Sequence, residues 1–448
     1  MSDDAGFFPP QGAGDMPEEG ARPDLAALDE TAKADPALFE RQSEEDVFAR
    51  RVLTTALHLE VAEASRTNLW TEWNGYTTAE VLTNIEDEYA ALRHAAALSD
   101  ISPLVKYRIS GPDALRYLIR LVAGHARDLA IDHAAHVVFC EDRGFVVGDG
   151  LLFRLGESEY RLVTEEHNLD WLLESARGFS VSVEDVSPTL AALSLQGPLS
   201  ARILRDAGFA GIESLAPNAA RWFDVDGMPV YVSRTGVSGD LGYEFWIDPD
   251  DAPALWIKLL ARSAGTGLGI GGFALRELAR TEAGIARAGR DYLGAFAAPD
   301  AASCSTPFEL GLAALVDLDA EHFTGRDALR RAKAQSPRHL LSSVLVDHPA
   351  PLRFSAIRVG GNIEGVVTST GFSPWLGANV ALAILKPGAV AKGAALHVEV
   401  EVREGLSLRS LRVPARLLLE PALALTARLM TPAPTDADRE EGIDPRFR

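Results

Sequence analysis

Apolar positions recur every second residue along "GYEFWI" and every third or fourth along "FALRELARTEAGIA". The chain alternates between these two rhythms for most of its length. The first is the rhythm of a strand and the second that of a helix. Ordered α/β texture begins near Leu69. Helices are predicted over "AEVLTNIEDEYAALRHAAAL", "PDALRYLIRLVA" and "HNLDWLLESARGF", with Pro112 suited to a first turn. Strands are predicted for "LVKYRISG" and for three runs within "AHVVFCEDRGFVVGDGLLFRLGESEYRLVT". The mixture repeats as the strand "LAALSLQGP", the helix "LSARILRDAGF" and the strands "MPVYVSRTG" and "GYEFWI". The helices "APALWIKLLARSAG" and "FALRELARTEAGIA" follow, around a glycine-rich connector. After about Leu340 short strands come at regular spacing, which predicts an all-β terminal module, a sandwich or a barrel. Residues 1 to about 60 read as an acidic, poorly ordered arm with a helix around "EEDVFARRVLTTALHLEVAEA", and the last twenty or so as a polar tail.

In "RTGVSGDLGYEFWI" a glycine-rich turn feeds a strand carrying one carboxylate. Period two sets Glu244 on the face opposite Tyr243 and Phe245, which belong on a core.

Charge narrows the possible partners. The formal net charge of −21 argues against binding a phosphate backbone, and leaves room for small anions held by one or two arginines. No apolar run approaches the roughly 20 residues of a membrane helix. The opening "MSDDAGFFPPQGAGDMPEEG" is acidic where a targeting signal would be basic. These features predict a cytoplasmic protein with no nucleic-acid or membrane partner. Cys140 and Cys304 are far apart and read as two buried free thiols. His125, His133 and His136 lie close in sequence but match no metal-ligand spacing, so no metal is expected. "GLGIGG" satisfies GxGxxG, but a helical segment precedes it where a dinucleotide site needs a strand, so it reads as a connector. No GxSxG elbow is present.

Taken in order, "AALSDISPLVKYRISGPDALRYL", "GFVVGDGLLFRL", "LSLQGPLSARIL", "RTGVSGDLGYEFWI", "ALRELARTEAGIARAGRD", "PFELGLAALVDLDAEHFTGRDAL" and "GVVTSTGFSPWLGANVALAILKPG" resemble the glycine-cleavage T-protein (aminomethyltransferase) superfamily, over roughly residues 70 to 425. The resemblance implies an α+β fold: a three-domain cloverleaf around a central folate channel, with the all-β module at the C-terminus. Its domains would be 61–105 with 190–250, then 106–189 with 251–338, then 339–428, preceded by the arm at 1–60 and followed by the tail at 429–448.

The same resemblance implies tetrahydrofolate as cofactor. Glu244 would grip the pterin, with Tyr243, Val237 and Arg276 also in the pocket. A carboxylate accepts two parallel N–H bonds from an amino-pyrimidinone edge, which fits that role. Arg276 matches the first arginine of the family's "ARDxLRLEAG" and Arg280 the second; at i and i+4 they share a helix face. Where the family has paired aspartates in "GGIxDDL", this chain has Gly148 and then Asp149. Where "RTGYTGE" has tyrosine, it has Val237.

The "GDG" form resembles tetrahydrofolate-dependent demethylases. The expected activity is therefore a demethylase moving a methyl or methylene group from a small donor, such as a methoxylated aromatic, to N5 of tetrahydrofolate. Asp149 would organise the leaving group and Arg276 stabilise it. The alternatives are the glycine-cleavage aminomethyltransferase and a non-enzymatic folate-binding protein of the iron–sulfur maturation type. The latter is disfavoured because "TPFELGL" lacks the cysteine of "KGCYxGQ". The sequence leaves the donor and the oligomeric state open.

Overall fold

The computed structural model describes residues 53–418, apart from 125, 264, 321, 348–352, 390–394 and 405–406. The arm before residue 53, the polar tail and His125 lie outside the described residues. Order begins earlier than residue 69. A short strand β1 (Leu53–Thr54) and helix α1 (His58–Ala64) precede a hairpin of β2 (Leu69–Trp73) and β3 (Tyr76–Val81). The hairpin turns at Asn74-Gly75, both at positive φ, as a two-residue type I′ turn requires. The predicted first helix is therefore three pieces. "AEV" ends β3, α2 (Ile85–His94) starts at Asn84, whose side chain accepts from the Asp87 N–H at 2.8 Å, and "AAL" opens β4 (Ala96–Asp100).

The first lobe is built on a six-stranded sheet, and its order is β11 (Ala220–Val225), β12 (Met228–Ser233), β13 (Gly242–Ile247), β10 (Ala191–Gln196), β4, β14 (Leu268–Ile270). Helices α5 (Ser200–Asp206) and α6 (Ala252–Arg262) bury Ile203, Leu204, Leu255, Trp256 and Leu259 against it. "GLGIGG" thus contains β14, which pairs parallel to β4. It is more than a connector. Because α6 and β14 complete this core, residues 252–270 sit with the first lobe and not with 106–189 as the domain reading had them.

The second lobe is a five-stranded sheet ordered β6 (His133–Cys140), β7 (Val146–Arg154), β8 (Glu159–Thr164), β5 (Val105–Ser110), β9 (Ser182–Asp185). Helices α3 (Ala114–Leu121) and α4 (Leu169–Ser175) cover it through Tyr117, Leu118, Leu121 and Leu172. Helix α7 (Phe273–Glu282) leaves the first lobe and α8 (Arg326–Lys333) leads to the third. There β15 (Leu340–Val346), β18 (Ala378–Leu385), β17 (Asn362–Ser373), β16 (Ala356–Val359), β19 (Leu396–Glu404) and β20 (Ser407–Leu418) close into a barrel. The terminal module is thus a barrel, which leaves no free sheet edge.

Each lobe packs on both others. Trp246 meets Phe153 edge-on at 5.4 Å between the first two lobes. Tyr89, Leu275 and Leu278 pack with Leu345 and Val380 between the first lobe and the barrel. Val138, Cys140 and Leu329 pack with Leu341 and Ile384 between the second lobe and the barrel. Three pairwise contacts among three lobes make the cloverleaf. Among the described residues no helix is long and apolar enough to cross a membrane.

Candidate functional site

Strand β13 is buried on both faces. Tyr243 and Phe245 enter the first lobe's core, while Glu244 and Trp246 face the other way, Trp246 onto the second lobe. Glu244 lines a hollow with Leu92, Ile101, Val237, Leu275 and Arg276. Tyr243 does not line it. The same alternation that turns Glu244 outward turns Tyr243 into the core, so its expected place in the pocket is corrected.

The glycines of the preceding turn make room for one side chain. A Cβ on Gly236 or Gly242 would stand 2.1 or 2.0 Å from Oε1 of Gln196. Gln196 holds the turn in return: its Nε2 donates to the Thr235 carbonyl at 3.2 Å, and its Oε1 accepts from Ser238 Oγ at 2.9 Å. Arg93 on α2 reaches the turn too, donating to the Ser238 carbonyl at 2.8 Å and pairing with Asp240 and Glu282. The turn is therefore fixed from below.

Glu244 is 5% exposed. Thr235 Oγ1 donates to its Oε2 at 2.5 Å, and no donor among the described residues reaches Oε1. Burial pushes this carboxyl above the usual glutamate range; the Thr235 bond and the Arg276 charge pull it back, and Glu165 pushes it up. Arg276 comes from α7, whose N-terminus is pinned where the Gly272 N–H donates to Glu88 Oε2 at 2.9 Å. Its guanidinium lies 4.8 Å over the Trp73 ring and pairs with Glu165 after β8. Its Nη1 is buried without a hydrogen-bond partner. Glu244, with an oxygen that no donor reaches, and Arg276, whose Nη1 makes no hydrogen bond and lies 3.9 Å from Glu277 Oε1, thus border one hollow. A fused pyrimidinone ring, with N–H groups beside a carbonyl, is complementary to that pair. The hollow is tight: its volume of about 30 Å³ is that of one water, so a bicyclic ring enters only as its walls draw back.

Asp149 lies elsewhere, on β7. Its Oδ2 is 2.6 Å from Nε2 of His136, and its Oδ1 accepts from the Tyr292 hydroxyl. Burial, and then the Asp149 charge, holds the Tyr292 phenol well above its usual range, so it stays protonated and donates. Glu165 and Glu166 also act on Tyr292, and Glu165 joins Arg276 and Arg287. One chain of charges therefore links the Glu244 hollow to Asp149.

Of the expected residues, the hollow gathers Glu244, Arg276 and Val237 and leaves out Asp149 and Tyr243. Gln196, Thr235, Glu165, His136 and Tyr292 were not foreseen. Gln196 and Thr235 lay in quoted motifs, where nothing but their polarity beside glycines marked them, and His136 was read only against metal-ligand spacing.

Gly148 has a local cause. A Cβ there would lie 2.7 Å from the Phe139 ring across the ladder and 3.1 Å from Asn168 Nδ2. Gly148→Asp is expected to cost about 1–3 kcal/mol by overpacking, read as a lower urea midpoint, with Phe139→Leu recovering part of it. An unchanged midpoint would mean that Phe139 does not keep this position bare.

Comparison with known proteins agrees with this arrangement. Residues 53–320 match the model of the GCVT N-terminal domain, and 338–422 that of the glycine cleavage T-protein C-terminal barrel domain. The aminomethyltransferase of Moorella thermoacetica is 34% identical over 339 residues, covering 74% of this chain and 89% of that protein. That of Streptomyces avermitilis is 32% identical, covering 71% and 85%. The crystal structure of glycine cleavage system aminomethyltransferase T from Bartonella henselae superposes with a TM-score of 0.73 at 24% identity, over 84% of this chain and 99% of that one; it bears on the fold alone. The chain belongs to the glycine cleavage T-protein (aminomethyltransferase) family.

Proposed function

We propose that this protein transfers a one-carbon unit to tetrahydrofolate from an aminomethyl donor, the reaction type its relatives are named for. The observation that carries the reading is the hollow in which Glu244 offers an open oxygen and Arg276 an Nη1 that makes no hydrogen bond. Glu244, Arg276 and Val237 would hold the pterin. When bound, tetrahydrofolate supplies the secondary amine that accepts the carbon.

The protein's own part is placement and charge. Glu165, Glu277 and the Trp73 ring fix the Arg276 guanidinium, so its charge is in place with no reorganisation at the moment of reaction. Holding donor and acceptor aligned is worth several kcal/mol in such displacements. Asp149 has both oxygens engaged, so it acts through what it holds.

A second reading is favoured by Gly148. Without the first family aspartate beside the reacting groups, a demethylase taking methyl from a small methoxy-aromatic or N-methyl donor fits the altered wall. Incubation with tetrahydrofolate and a panel of aminomethyl-thiol, methoxy-aromatic, methylenedioxy, sulfonium and N-methyl compounds separates the two. Formation of 5,10-methylene-tetrahydrofolate from the aminomethyl thiol supports the first reading, and 5-methyl-tetrahydrofolate from a methyl donor the second. Absence of tetrahydrofolate binding by calorimetry would end both.

A further inference from the structure

We propose that His136 is the proton-exchanging group of this site and that Asp149 is its positioning residue; the assignment rests on the folate reading above. Register sets Asp149 opposite Val138 and His136 opposite Leu151, so the pair lies diagonally on one face of the second lobe's sheet. At one end of that face Ala134, Phe153 and Val163 are covered by Trp73, Tyr231 and Trp246 of the first lobe. At the other end Val138 packs with Ala288 and Tyr292. Ala134 and Val138, two residues either side of His136, are 5% and 0% exposed, yet the His136 side chain is 38% exposed. The ring therefore opens onto a gap between two sealed contacts.

The hydrogen bonds then fix what the ring presents. A carboxylate accepts, so Nε2 carries the hydrogen on Asp149, and Nδ1, without a partner among the described residues, faces the gap. Tyr292 occupies the other Asp149 oxygen and cannot compete for the ring. Asp149 is 12% exposed and His136 much more, so the carboxylate is the buried anchor and the imidazole the accessible member. A carboxylate orienting an imidazole that exchanges protons from its far nitrogen is a recurrent catalytic arrangement.

In each displacement a bond between the donor's carbon and a heteroatom breaks, leaving its electron pair on the heteroatom, while the carbon gains a bond to an acceptor amine; an aminomethyl thiol undergoes two such displacements, releasing ammonia and thiol, and a methyl donor one. The proton on Nδ1 of the imidazolium goes to that heteroatom, and the ring is left neutral with Nε2–H still on Asp149. Water recharges the ring and receives the proton that the acceptor amine loses, so atoms and charge balance. The charged groups around this exchange are Asp149 and, through Tyr292, Glu165 and Glu166.

Nitrogen NMR of the ¹⁵N-histidine-labelled full chain tests the assignment, the His136 signal being identified by its loss in His136→Asn. The neutral ring is expected as the Nε2–H tautomer. In Asp149→Ala, which leaves Nε2 without its acceptor, that preference should weaken and the two tautomers mix. Saturating tetrahydrofolate should shift the ring signals of the wild-type protein. An Nδ1–H tautomer, a tautomer preference unchanged in Asp149→Ala, or a ring unmoved by tetrahydrofolate that calorimetry finds bound would each overturn the proposal while leaving the folate reading intact. No tetrahydrofolate binding would overturn both. The tautomer and the ligand shift are read on the unaltered protein, so a variant that fails to fold does not rescue the idea.

Discussion

Arg280→Ala is expected to lower stability by about 3–5 kcal/mol, the usual result of removing one partner from a buried ion cluster. The Arg280 side chain is 1% exposed and all five of its N–H groups are engaged. Nε and Nη2 donate to the two oxygens of Glu277 at 2.8 and 2.7 Å. Nη1 donates to Asp291 Oδ2 at 2.7 Å and to the Ile285 carbonyl at 3.0 Å, and Nη2 also to Ser369 Oγ at 2.8 Å. Asp291, whose side chain is fully buried, accepts from Thr368 and Ser369 of β17 as well, so the cluster joins α7 to the barrel. Alanine would leave Asp291 charged and underpaired.

Lysine, with three donors on a point charge, should recover little. The pair Arg280→Met with Asp291→Asn should recover most of the loss, because Glu277 keeps Arg287 and Arg290 and the cost lies in the orphaned charges.

Acid adds a second readout. Burial pushes Glu277 up, but the Arg280 bond and the charges of Arg280, Arg287 and Arg276 outweigh it and bring the carboxyl from 4.5 down to about 2. A depressed carboxyl contributes stability above its ordinary value that is lost as pH falls through the folded one. The gap between wild type and Arg280→Ala should therefore narrow between about pH 4.5 and 2. Thermal unfolding at pH 7 and pH 3 measures both effects, and a midpoint shift below two degrees at pH 7 would exclude the proposed cost.

Arg276 and Arg280 also show what one sequence can reveal. Their spacing places them on one helix face, which was legible. Their fates were not. Arg276 meets Glu165 of the second lobe, 111 residues away, and Arg280 meets Ser369 of the barrel, 89 residues away, besides Asp291 just past its own helix. Glu165 carried no local signal at all: it follows a strand in "VTEEHNL", and only the fold brings it to Arg276 and to Nδ2 of Asn74, which donates to its carbonyl at 2.9 Å.

The Asn74-Gly75 hairpin is the opposite case. Asparagine-glycine between "LWTEW" and "YTTAEV" is a type I′ signal, but helical residues downstream drew the reading past it. The strand in "GLGIGG" had no such signal, since three residues among glycines become a strand only because β4 offers an edge. The missing first aspartate was visible in the sequence, whereas its cause, a phenylalanine across the ladder, was not.

Glu244→Gln is expected to cost tetrahydrofolate affinity at least 100-fold, about 2.7 kcal/mol, while making the ligand-free protein more stable at neutral pH. The two effects have one origin. Glutamine still offers an oxygen to Thr235, so the local bond survives. Its second atom is an N–H donor, however, and it would face the donor edge of a pterin where the open carboxylate oxygen accepts; a charge-assisted bond becomes a clash of donors.

Without ligand the carboxylate is a liability, because burial raises it above its usual range. A raised carboxyl gives its full stability below its unfolded value and loses it as pH climbs through the folded one. At pH 7 the wild-type protein bears that loss and the glutamine variant does not, so the variant's advantage should be present at pH 7 and vanish below about pH 4.5. Calorimetry with tetrahydrofolate and thermal melts of the ligand-free protein at pH 4 and 7 separate the outcomes. Unchanged affinity would remove Glu244 from the folate grip whatever the melts give. Lost affinity with a lowered melting point at pH 7 would instead make Glu244 a structural carboxylate whose loss disturbs the turn.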